Sequence, residues 1–257
     1  ISLRAAPQPP AATARPQRTA PETASYTGPG SCAAAACHGA IRPVAGSRIR
    51  QTEYTTWVSQ DRHARASEVL SNAVSQRIGR ALDIAAPASA PRCLACHALD
   101  VPAGRQARTF DNVGVSCEAC HGPASGWLGP HTTRNWTHAQ SVQAGMYDTK
   151  DVVKRTERCL GCHLGTAEKF VDHEMIAAGH PDLVFDLESF SAAMPRHWRA
   201  PEDPSAGVRA FIVGQLVHAR SGLERLGRRL DAPAWPDYAE LDCFASHPRL
   251  PRPDDRW

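Results

Sequence analysis

Aromatic residues make up only 6% of this 257-residue chain, and it holds just three methionines. With a mean hydropathy of −0.39, too little bulky apolar side chain remains for a conventional core of this size. No apolar run approaches the ~18 residues of a membrane span; the best candidate, 210–217, is far too short. No glycine-rich phosphate loop, dinucleotide fingerprint or flavin motif occurs, which removes the usual nucleotide-dependent chemistries. A strong charge of either sign is missing as well: the balance is +3, mildly basic.

What the chain does have is nine cysteines in a pattern. Three strings repeat one arrangement: Cys93-Leu-Ala-Cys96-His97, Cys117-Glu-Ala-Cys120-His121 and Cys159-Leu-Gly-Cys162-His163. Two cysteines with two residues between them can form thioethers to the two vinyl groups of one haem. The histidine that follows then sits beneath the iron as its axial ligand. A stretched version, Cys32 to Cys37 with four alanines between, is followed by His38. The longer spacer can still reach both vinyls by bulging, and the histidine keeps its place. Eight of the nine cysteines fall in these four motifs, which argues against a disulfide framework and leaves Cys243 over.

Two closely spaced CxxC pairs also match a zinc ribbon. Zinc would leave the other two motifs unexplained, and would give no reason for a histidine to follow each second cysteine. A thioredoxin-like redox pair needs neither repetition nor the trailing histidine. Four haem c groups are therefore expected, one for about 64 residues (257/4), and they would serve as the core. Each ferric haem with ionised propionates and two neutral histidines carries roughly −1, so four bring the oxidised protein to about −1. The basic peptide charge then lends no support to nucleic-acid binding.

Residues 1–30, rich in proline and alanine, read as an extended tail or linker, and 31–257 as one multihaem domain. From Thr52, a plausible N-cap, to Ile84, apolar residues including Trp57, Leu70 and Ala81 return at three- and four-residue steps. They predict a helix that carries His63 and that Pro87 and Pro91 end. A lone helical histidine is ordinarily a solvated or core residue, but irons needing a sixth ligand favour ligation here. After the second strict motif, a turn-rich loop delivers His131, a candidate ligand to a neighbouring haem. His138 is a weaker candidate, with a surface histidine the plainer reading.

The stretch 166–178 reads as helix with a stop at Gly179, and would send His173 and His180 to different irons. His197, in MPRHW, is balanced between ligation and packing on Trp198. Residues 206–230 form the clearest amphipathic helix, with Val208, Phe211, Ile212, Ala219, Leu223, Leu226 and Leu230 on the expected core stripe. Arg225, Arg228 and Arg229 read as a solvated face. Near the end, Cys243-Phe-Ala-Ser246-His247 is the haem pattern with serine for the second cysteine. A fifth haem on one thioether, a degenerate site and a free or intermolecularly bonded thiol compete there.

The strings SCEACHGPAS, CLGCHLGTAEKFVDHEMIAAGHP, MPRHW and WPDYAELDCFASH resemble the multihaem c-type cytochromes of the cytochrome c-554 group and its larger relatives. The resemblance implies a mainly α, haem-packed fold with long loops and little β, in which closely spaced haems pass electrons with histidine on both sides of iron. It carries His63, His131, His173 and His180 over as distal ligands. The departures are the long spacer after Cys32, and Ser246.

The expected function is electron relay by low-potential bis-histidine haems, not enzymatic turnover. Only three methionines stand against seven histidines outside the motifs and the terminal CFASH. The alternatives are a reductase of small nitrogen or sulfur compounds at a five-coordinate haem, and a subunit of a cytochrome filament or larger redox complex. Partners are expected to be redox proteins or other copies of the chain, with anchoring through the N-terminal tail an option. Haem attachment to paired cysteines, and a chain beginning at Ile1, lead to the expectation of an exported, periplasmic or extracellular protein whose targeting segment is absent.

Overall fold

The computed structural model describes residues 24–199, 203–232, 235–241, 243 and 247. Among these residues the chain is α and 3-10 helix joined by long loops. Extended backbone pairs in one isolated parallel bridge, Tyr26 to Gln106. No helix among them is long and apolar enough to cross a membrane.

The predicted helix over 52–84 is two shorter ones, α1 (Glu53–Gln60) and α2 (Ala73–Ala81), separated by two 3-10 turns. Side chains that bond their own backbone cause the break. Asp61 turns extended after α1 (φ −81°, ψ 128°), and its carboxylate accepts from the His63 amide. Asn72 does the same for Ser75 and starts α2. His63 therefore rides a tight turn. Thr52 sits at the N-cap of α1 but makes no side-chain cap, and its buried hydroxyl has no partner.

Three short helices follow in the loop-rich middle: α3 (Pro91–His97), α4 (Cys117–His121) and α5 (His138–Gln143). Next come α6 (Val152–His163) and α7 (His173–Ala177). The helix expected over 166–178 reduces to α7, because the Thr166 hydroxyl accepts from the amides of Glu168 and Lys169 and holds that stretch as a turn. Gly179 ends it with φ +107°.

The last layer is α8 (Leu187–Ala193) on α9 (Ala206–Arg229), with α6 beside them. Here, among the described residues, lies an apolar cluster of ordinary kind: Leu160, Phe185, Leu187, Ala210 and Val217. The α9 surface that packs is not the predicted stripe. Val208, Phe211, Ile212, Leu216 and Leu223 stay exposed, Leu223 at 70%, while Ala210, Gly214 and Val217 are buried. Close approach decides the matter. A Cβ at Gly214 would fall 2.9 Å from the Leu187 Cβ, so the small-residue face admits α8 and the bulky face cannot.

Residues 24–30, assigned by composition to the tail, are part of the packed body: Ala24, Thr27 and Pro29 are buried. Their anchor is Glu118, 2% exposed, whose carboxylate accepts from the amides of Thr27 (2.9 Å), Gly28 (2.7 Å) and Ala124 (2.7 Å). Three amide donors satisfy a charge that would otherwise be costly to bury.

Candidate functional site

The three strict motifs share one local geometry. α3, α4 and α6 each end on the motif histidine, and the next amide bonds back to the residue after the first cysteine: Ala98 to Leu94, Gly122 to Glu118, Leu164 to Leu160. On a helix, positions i, i+3 and i+4 lie on one face, so two thiols and an imidazole leave each terminus together. The stretched motif reaches the same end without a helix. Its alanines bulge, Cys37 and Gly39 both donate to the Ala34 carbonyl, and a Cβ at Gly39 would fall 1.8 Å from the Ala33 oxygen. Glycine alone fits there.

The histidines come in facing pairs. Ring centres of His38 and His131 are 6.2 Å apart, of His63 and His163 6.2 Å, of His97 and His180 6.4 Å, and of His173 and His247 6.2 Å. At the ~2.0 Å length usual for a histidine–metal bond, with about 1.1 Å from nitrogen to ring centre, two imidazoles on one iron stand about 6.2 Å apart. The spacing fits haem. Among the described residues no three His, Cys, Asp or Glu side chains converge as a bare ion would require. A haem iron asks the protein for only one or two. The planes differ: 4° and 14° for the His38 and His247 pairs, 88° for the other two.

Partners on Nδ1 aim the other ring nitrogen. His38 donates to Glu53 (3.0 Å) and His63 to Asp61 (2.9 Å). These two carboxylates raise the imidazole pKa values, chiefly through that hydrogen bond. Backbone carbonyls serve the others: Ala66 for His97 (2.8 Å), Leu128 for His131 (2.5 Å) and Pro181 for His180 (2.8 Å). With Nδ1 occupied, Nε2 is the free ligand atom, and a carboxylate partner makes it more basic. His138 is the reverse case. Its Nε2 is bonded to Asp148 at 2.8 Å, which takes up the nitrogen that the other histidines leave free.

The motifs adjoin one another. Cys32 lies beside Cys117, and Cys96 beside Cys162. Lys169 Nζ spans the latter join, 3.0 Å from the Ala95 carbonyl and 3.4 Å from Cys162 Sγ. Cys120 is accessible to water, yet burial, with Cys159 beside it, pushes its thiol up to about 12. Neighbouring thiols thus link the motifs in the order Cys32, Cys117, Cys159, Cys93.

His121 belongs to none of the four pairs. Burial lowers it to about 4, so it is a neutral base at pH 7, and its Nδ1 is buried without a partner. After burial, His197 is the neighbour that weighs most on it, and burial lowers His197 as well while it packs edge-on against Trp198 at 5.1 Å. Sequence reasoning missed Glu118, Glu53, Asp61 and Asp237. Glu118 had a signal, as a charge within the short variable gap of a motif, and Asp61 stands two residues before His63. Arg225 and Arg229 are not a solvated face. Arg229 is 5% exposed and bonded to Asp237 and Glu240, and Arg225 to Glu240 at 2.7 Å. Ser246 lies outside the described residues.

Residues 31–122 match the family "Cytochrome c554 and c-prime". No curated protein and no solved structure matches the chain. The match covers three of the four motifs with all their cysteines, and with the mainly α fold it makes the chain similar to c-type cytochromes. It supports covalently bound haem c and an electron-transfer role.

Proposed function

We propose that the chain is a multihaem electron relay, with haems at the motifs of Cys32, Cys93, Cys117 and Cys159 and histidine on both faces of most irons. The observation that carries this reading is the set of facing imidazoles at 6.2–6.4 Å, each joining a motif histidine to one from another segment. When bound, haem supplies reversible one-electron chemistry at its iron. The chain's own residues do the rest. His131, His180 and His63 would hold, opposite His38, His97 and His163, the haems of those motifs, which would exclude a substrate there and favour low potentials. Glu53 and Asp61 add negative charge behind two of these ligands and favour the ferric state further. The neighbouring thiols of successive motifs support a path from Cys32 through Cys117 and Cys159 to Cys93.

Redox proteins, or further copies of the chain, are the partners this reading requires at the two ends, in a compartment outside the cytoplasm where thioether attachment takes place. A redox titration of the haem-loaded protein followed by absorbance tests it. The expected result is stepwise, reversible one-electron reduction at low potential with low-spin spectra. A spectrum dominated by high-spin haem would overturn it.

One observation favours a second reading, reduction of a small nitrogen or sulfur compound at a five-coordinate iron on His121: that histidine stands outside the four pairs. A ferric high-spin signal that shifts on adding nitrite, hydroxylamine or cyanide supports it. Replacement His197→Ala separates the two, because it raises high-spin content only if His197 serves as the sixth ligand.

A further inference from the structure

We propose that Cys243, His247 and His173 hold a fifth haem, attached by a single thioether. The inference rests on the reading of facing histidines as iron ligands. His173 and His247 stand 6.2 Å apart with planes 14° from parallel, the same spacing as the pairs built on complete motifs. The His247 amide donates to the Cys243 carbonyl at 2.7 Å, a helical turn that puts thiol and imidazole on one face as in α3, α4 and α6.

A buried network brings these distant segments together. Asp237 accepts from the His173 amide (3.2 Å), the Ala239 amide (2.9 Å) and Arg229 (2.7 Å). Arg229 also bonds Glu240 and lies 3.5 Å over the Phe170 ring, and Arg225 adds a second bond to Glu240. Burying two guanidinium groups and two carboxylates is costly unless every partner is in place, so the turn before Cys243 is fixed against α7 and α9. Tyr238 then meets the His173 ring edge-on at 5.6 Å. On the other side, Asp172 pairs with Arg92, the residue before Cys93, so the fifth site extends the run of motifs past its Cys93 end.

The attachment balances without an external oxidant or reductant. The Cys243 S–H adds across one vinyl group. Sulfur bonds to the vinyl carbon next to the ring, hydrogen goes to the terminal carbon, and nothing leaves. In the sequence Ser246 takes the place of the motif's second cysteine and serine cannot form a thioether, so the other vinyl stays intact.

Intact mass of the haem-loaded protein under denaturing conditions, with peptide mapping, tests the assignment. The expected result is five covalent haems, one on the peptide containing Cys243, and a pyridine haemochrome band with a red-shifted component from the retained vinyl. Cys243→Ala loses one haem mass and keeps four. His173→Ala keeps five and adds one high-spin haem. An unmodified Cys243 peptide in the wild-type protein overturns the proposal while haem on the other four motif peptides leaves the relay standing. Absence of haem from those four strikes the relay instead. An unchanged spin state in His173→Ala removes His173 from the site.

Discussion

The layer formed by α6, α8 and α9, which carries the Cys159 motif, is held by side chains packing on one another, while the region from Ala24 to Gln143, which carries the other three motifs, is held by polar anchors around facing histidines. In the first, Leu187 and Leu160 are 2% exposed and Gly214 lets two helices touch. In the second, the best-buried groups include Glu118, Asp61, Ser116 and Thr27, and apolar burial is scattered over single residues such as Trp57, Leu70 and Ala124. A small apolar core stabilises the first region in the ordinary way. In the second, carboxylates do the positioning that a core would otherwise do.

The sharpest way to break that contrast is Glu118→Ala. Three backbone donors would lose their acceptor at once, a cost of about 3–5 kcal/mol by denaturation of the haem-loaded protein. Altered haem absorbance should accompany it, since Glu118 lies inside a motif. Next is Leu187→Ala, expected to cost about 2–4 kcal/mol by cavity formation, with the haems of the three motifs between Ala24 and Gln143 spectrally unchanged. A spectral change there would mean the two regions are not separable.

Asp61→Asn should alter stability by less than about 1 kcal/mol but raise the potential of one haem by ~60 mV, the equivalent of one charge-assisted bond of ~1.4 kcal/mol. A redox titration that leaves every potential in place would remove Asp61 from the ligand's support. The smallest effect belongs to Leu223→Ala on the exposed face of α9, within ~0.5 kcal/mol of the parent in the monomer. A larger loss would show that this face is covered.

The proximal half of the candidate site was legible in the sequence because CxxCH is local: helix geometry alone brings its two thiols and imidazole together. The distal half was legible only as a roster. His131, His173 and His180 could be named as ligands, but pairing His131 with His38 and His180 with His97 depends on long loops whose course no periodicity encodes. The same limit explains the errors in helix reading. Apolar spacing over 52–84 does not register that Asp61 and Asn72 prefer to bond their own backbone. On α9 the hydrophobic stripe was real but faced outward, because the small residues opposite it permit closer packing. Arg229 was misread for a related reason: its partners Asp237 and Glu240 follow the helix and fold back onto it.

The central claim, that these imidazoles face each other across iron, is tested most directly by electron paramagnetic resonance of the fully oxidised protein. Parallel ligand planes split the iron d orbitals that mix with them and give ordinary rhombic low-spin signals. Perpendicular planes leave those orbitals nearly degenerate and give signals of large g-anisotropy. The angles of 4° and 14° against 88° and 88° predict both classes together, with the rhombic signal weakened by His131→Ala and a large-anisotropy signal by His180→Ala. A single rhombic class unaffected by either substitution would contradict the account.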